Sequence, residues 1–233
     1  MKKFTFILLS VMILSITTAF AQKPFAGIIK YKMSVEGTTD PNILSQMPEG
    51  TETYIFGNYT KTVISPVPGV NVINITNGDA KKTYLIYDIT GMGKYYIETT
   101  EADLKEKKAN IDTKYDYTGE KKTIAGYECE KVVTTVTDKE TDEETSVVMY
   151  VSKDLNPSSA INFGSNDGLV GYPLYMETKT EINGAEVTLI QEATEVTPSK
   201  KVKLAEFLIP ADGQKTTMEE MMKMFGGGGE DDE

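Results

Sequence analysis

The stretch METKTEINGAEVTLIQ, residues 176–191, constrains the fold more than any other part of the chain. Asn183-Gly184 is the favoured two-residue β-hairpin turn, because both positions accept a positive φ at low steric cost. That turn pairs Ile182 with Ala185, Thr180 with Val187 and Thr178 with Leu189. One face of the hairpin is then apolar, while Glu177, Lys179, Glu181 and Glu186 take the other. A half-buried antiparallel sheet follows, since slipping the register by one residue would exchange the two faces.

The rest of the chain carries the same signal. Phe25, Gly27, Ile29, Tyr31, Met33 and Val35 alternate with Ala26, Ile28, Lys30, Lys32, Ser34 and Glu36, a period of two that predicts a long strand. Further β-rich runs occupy 53–64, 70–76, 82–89, 94–99, 123–137, 144–152, 172–182, 185–196 and 202–208, with a second hairpin turning within 137–145. Helices are short. Asp40 and Pro41 offer an N-cap and a first helical position, and Thr100-Glu101-Ala102-Asp103 resembles a capping box. A third helix, MEEMMKMF, follows Thr216 or Thr217, and its Met218, Met221, Met222 and Phe225 share one face.

These elements predict a mainly β fold: a single curled antiparallel sheet with two or three short helices. A twisted sheet of roughly nine to eleven strands curls or closes. Curling encloses an apolar space, for which Tyr31, Met33, Tyr127, Met149 and Met176 are the expected lining. The Met-rich helix, with Met218, Met221, Met222 and Phe225, is the expected lid or plug. The alternative use of the same side chains is simply to fill the core.

The amino-terminal residues read as an export signal. Lys2 and Lys3 precede an apolar run too short for a bilayer span, and Ala19-Phe20-Ala21 supplies the small–x–small cleavage pattern. Cleavage between Ala21 and Gln22 leaves no lipid-anchoring cysteine, so the expected product is a soluble periplasmic monomer with no integral membrane segment. The expected plan is a signal peptide at 1–21, one β-rich domain at 22–215, the Met-rich helix at 216–225 and a flexible acidic tail at 226–233. The net charge of −11 is two units more negative without Lys2 and Lys3. Every basic residue is lysine, and so acidic a surface repels nucleic-acid phosphates and anionic membranes.

The inventory for chemistry is thin. There is no histidine, which removes the commonest general base, the Ser-His-Asp arrangement and histidine metal sites. The one cysteine, Cys129, lies in a strand-like run flanked by Glu128 and Glu130, which disfavour a thiolate. It reads as a packing residue. No Walker-type phosphate loop is present, and the absence of tryptophan argues against a sugar cleft. The methionines of the last helix have the soft sulfur that Cu(I) takes, but their spacing fits packing better. Asp138, Glu140, Asp142, Glu143 and Glu144 lack the spacing of a calcium loop and read as a solvated turn. No catalytic residue, metal or cofactor is therefore expected.

Four motifs in order, Ile124-x-Gly126-Tyr127-x-Cys129, Val151-Ser152-Lys153-Asp154-Leu155, Gly171-Tyr172-Pro173-Leu174 and Phe207-x-Ile209-Pro210, resemble the exported family called domain of unknown function 4412. The opening Phe25-Ala26-Gly27-Ile28-Ile29-x-Tyr31 also fits that family and related exported families of Bacteroidetes-type bacteria. The resemblance implies the half-open barrel of the LolA and LolB lipoprotein carriers, where a curved sheet and helical lid hold acyl chains. This chain lacks both the cavity arginine of the LolA carrier and the anchoring cysteine of the LolB receptor. The expected function is non-catalytic binding of a lipid, acyl group or apolar peptide at the envelope. The alternative is an adaptor that binds another envelope protein along an exposed strand edge.

Overall fold

The structure, a computed structural model, describes residues 25–45, 47–155 and 158–225. The expected leader, with Ala21 and Gln22, and the acidic tail at 226–233 lie outside these residues, as does the Phe225 side chain.

Among the described residues the fold is mainly β, a single sheet of twelve strands that does not close, with a few short helices. One half is a meander of β1 (Ala26–Glu36), β2 (Gly50–Phe56), β3 (Tyr59–Val67), β4 (Val70–Asn77), β5 (Lys82–Ile89) and β6 (Gly93–Thr100). The other half is β7 (Ile111–Ile124), β8 (Tyr127–Asp138), β9 (Glu144–Ser152), β10 (Tyr172–Ile182) and β11 (Ala185–Pro198). Pairing of β1 with β11 joins the halves, and β12 (Gly213–Lys215) lies at the edge beyond β6. The helices are α1 (Pro41–Ser45), α2 (Glu101–Lys107) and α3 (Met218–Phe225). Among the described residues no helix is long and apolar enough to cross a membrane.

Local chemistry accounts for these elements. The Asn183-Gly184 hairpin has the expected register, with φ of 52° and 80° at its two turn residues. Asp40 accepts a hydrogen bond from the Asn42 N–H at 2.8 Å and caps α1. Thr100 and Asp103 form the reciprocal capping box of α2. Thr217 and Glu220 do the same for α3, with Glu220 N–H donating to Thr217 at 3.1 Å and Thr217 N–H to Glu220 at 2.9 Å.

Several expectations need correction. The sheet is not wholly antiparallel, because β12 runs parallel to β6. Residues 202–208 are not a strand: Leu204–Phe207 is a 3-10 helix. The buried residues of the run 202–208, Val202 and Phe207, are five apart while Leu204 and Leu208 are exposed, a spacing no alternating strand allows. The runs 53–64 and 123–137 are each divided by a tight turn, at Gly57-Asn58 and Ala125-Gly126. Ala125 takes φ 47°, a conformation that sequence alone does not announce for alanine.

Both faces of the sheet are covered in part. On one, Val202 and Phe207 pack with Ile75 and Ile86, and the Phe207 ring lies 6.0 Å from that of Tyr59. Across the other runs the connection between β9 and β10, whose Leu169 packs with Val132, Met149 and Val151. The sheet is also bent. Lys122 on β7 pairs with Glu192 on β11 at 3.3 Å, yet four strand spacings separate them, about 19 Å in a flat sheet. Two side chains cannot bridge that gap, so the half from β7 to β11 curves away from the strap, towards the face that carries Lys122, Tyr150, Tyr175 and Glu192.

Candidate ligand groove

The connection at 158–171 acts as a strap over β1, β2, β3 and β4, and a groove of about 230 Å³ lies between strap and sheet. The floor is built by alternation: Thr53 on β2, Thr60, Thr62 and Ile64 on β3, and Asn74 and Thr76 on β4 project to one face. The strap contributes Ile161, Asn162, Ser165 and Asn166, and Tyr172, Pro173, Met176 and Gln191 complete the wall with Tyr31. None of these fifteen residues is charged, in a chain where a quarter of all residues are.

The strap is pinned by hydrogen bonds. Asn162 is buried, and its amide donates to the Leu169 carbonyl at 2.8 Å and the Gly171 carbonyl at 2.7 Å. The Tyr31 hydroxyl donates to the Pro173 carbonyl at 2.9 Å. Burial raises the Tyr31 phenol well above its ordinary value. It pushes Tyr172 up to about 12, partly offset by hydrogen bonds to Thr53 and Tyr31. Both rings are therefore neutral hydrogen-bonding groups at physiological pH. Thr53 and Thr62 share a hydrogen bond at 2.9 Å, and Gln191 donates to Thr51 at 3.3 Å. The groove offers neutral hydroxyl and amide groups beside Ile64, Ile161, Pro173 and Met176, a surface suited to uncharged amphiphilic ligands.

Of the residues expected to line a cavity, the structure brings Tyr31 and Met176 to the groove. Met149 is buried in the cluster beneath Leu169, and Tyr127 packs against the cluster that contains Cys129. Met33, half-buried on β1, lines no part of the groove. The Met-rich helix does not cover it. The β12–β6 pairing and the Thr217 cap seat α3 at the far rim of the sheet, where Met221 is buried and Met218 and Met222 are exposed. The strap takes the covering position instead. Thr53, Thr60, Thr62, Asn74 and Thr76 were not singled out as candidates. Their signal is a row of small polar residues at period two, opposite the apolar row of Tyr54, Ile73 and Ile75.

Cys129 is fully buried, and burial pushes its thiol up to about 11. It fills space between strands and is kept from ionising. Among the described residues no group of three or more acidic or cysteine side chains is arranged to hold a metal ion.

No family model matches the chain, and no curated protein matches it. Its fold is similar to that of PNGF-II, solved in two crystal forms. In space group P21 the match has a TM-score of 0.57 at 16% identity and covers 87% of this chain and 34% of that one. In space group C2 the values are 0.56, 16%, 86% and 32%. The chain thus spans about a third of the length of the PNGF-II structures, and at this identity the likeness is one of fold alone.

Proposed function

We propose that this protein is an exported, non-catalytic binding module of the cell envelope, and that its groove holds a short apolar peptide. The carrying observation is the uncharged, hydrogen-bonding lining beneath the strap. Backbone amides of a bound peptide are costly to desolvate unless partnered, and the threonine, asparagine and glutamine side chains supply partners. Tyr31, Ile161 and Met176 supply apolar contacts for its side chains. The hydrocarbon part of a lipid or acyl chain uses none of those polar groups, and about 230 Å³ is small beside the ~300–1,000 Å³ of most ligand sites. Among the three ligand classes the lining therefore favours the peptide.

Export to the periplasm rests on the Lys2-Lys3 leader and the Ala19-Phe20-Ala21 pattern. Membership of the domain of unknown function 4412 family rests on the order of its motifs, and the LolA-like half-barrel on the bent, open sheet. That a similar fold makes up about a third of PNGF-II supports reading it as a module. The adaptor reading has mainly the outer edge of β7 to use. That edge is irregular between Tyr117 and Lys121 and carries Lys114, Lys121 and Lys122, devices that keep strand edges from pairing.

Saturation-transfer NMR with a blocked Ala-Val-Ala tripeptide and with dodecanoate tests the proposal. Transfer to the peptide, lost in Thr62→Val/Asn74→Leu, is the expected result. Transfer to dodecanoate alone, or to neither, overturns it.

A further inference from the structure

A second cleft, of about 510 Å³, lies between α2, the turn joining β4 to β5 and the outer side of the strap. Its size falls within the range of small-molecule sites, and its composition is the reverse of the groove's. The apolar part is Leu104, Ala160 and Phe163, while Lys81, Lys105 and Lys108 stand around it. Two carboxylates balance these three ammonium groups, so the cleft is locally cationic in a chain of net charge −11.

Those carboxylates are already engaged. Glu101 Oε1 accepts from Lys81 at 2.8 Å and from Lys105 at 3.1 Å, which places two ammonium groups around a single oxygen. Asp167 accepts from Lys108 at 2.7 Å through Oδ2 and from the Gly164 N–H at 2.7 Å through Oδ1. Each ammonium carries three donors, so Lys81 and Lys105 retain donors beyond those that Glu101 uses. Exposed ion pairs are weak, so a second anion competes with Glu101 at small cost.

We propose that this cleft binds a small organic anion, its compact apolar body against Leu104 and Phe163 and its carboxylate or phosphate bridging Lys81 and Lys105. The site is separate from the groove and does not depend on the peptide reading.

Titration calorimetry of the full chain with benzoate, benzyl alcohol and phenyl phosphate at low ionic strength tests this. Benzoate or phenyl phosphate should bind and benzyl alcohol should not, and the tighter of the two anions identifies the head group. Lys81→Gln and Lys105→Gln, both at exposed positions, should each weaken binding about threefold and together about tenfold. Added salt should weaken it further. Benzyl alcohol binding as well as benzoate, unchanged binding in the double variant, or no binding of either anion overturns the proposal. Inorganic phosphate binding as tightly as phenyl phosphate would likewise overturn it, because the apolar floor would then hold nothing.

Discussion

The Tyr31 hydroxyl of β1 donates a hydrogen bond to the Pro173 carbonyl at the start of β10, 2.9 Å away and 142 residues on. This contact ties the middle of the sheet to the end of the strap. In Tyr31→Phe the Pro173 carbonyl loses its donor inside a buried site, at a cost of about 1–3 kcal/mol. Urea denaturation should show that loss as a lower midpoint with an unchanged slope, since the surface exposed on unfolding is the same.

Asn162→Leu removes both hydrogen bonds that hold the strap to its own returning chain, at Leu169 and Gly171. Two buried carbonyls are left unpaired, and the segment should open well below the global unfolding free energy. Hydrogen exchange is expected to speed up at 159–171 while β3, β4 and β5 stay protected. Uniform acceleration across the sheet would contradict a local role.

Gly78 is needed for close approach. A Cβ there would run into the Ala160 carbonyl of the strap, and also meets the Asn58 carbonyl. Neither atom is at the end of a flexible side chain, so Gly78→Ala should cost about 1–3 kcal/mol and displace the strap. A thermal melt of the variant, with peptide binding measured beside it, checks both effects.

Alkaline pH should unfold the protein in a defined window. Burial raises Cys129 from 9.0 to about 11, and Tyr115 and Tyr172 from 10.0 to about 12. A proton held more tightly in the fold than in the unfolded chain gives stability fully present below the unfolded value and lost as pH rises through the folded one. Stability should therefore hold to about pH 9 and fall progressively to about 12. In Cys129→Ala the fall should begin nearer pH 10, where only the phenols remain. Urea midpoints measured against pH distinguish the two curves.

How much of this was legible depended on where each residue's partner lay. The Asn183-Gly184 hairpin and the cap of α2 were readable because their chemistry is local. Strand β7 escaped because it is an edge: from Asp112 to Thr123 only Tyr115 and Tyr117 are even half-buried, so no apolar alternation marks it. Val202 and Phe207 looked like strand residues because both are apolar. Their burial comes from packing on Ile75 and Ile86, far away in sequence. The groove was half legible. Tyr31 and Met176 follow from alternation, whereas the threonine floor acquires meaning only once the strap is laid across it. The expectation of an apolar cavity gave weight to tyrosine and methionine and passed over Thr60, Thr62 and Thr76.

The most direct test is native mass spectrometry of the protein, expressed with its leader in a Gram-negative host and recovered from the periplasm. The account predicts added mass that disappears on denaturation, proves to be short apolar peptide, and is lost in Thr62→Val/Asn74→Leu. A bare mass that takes up no blocked tripeptide, or a bound species that proves to be fatty acid, would contradict it.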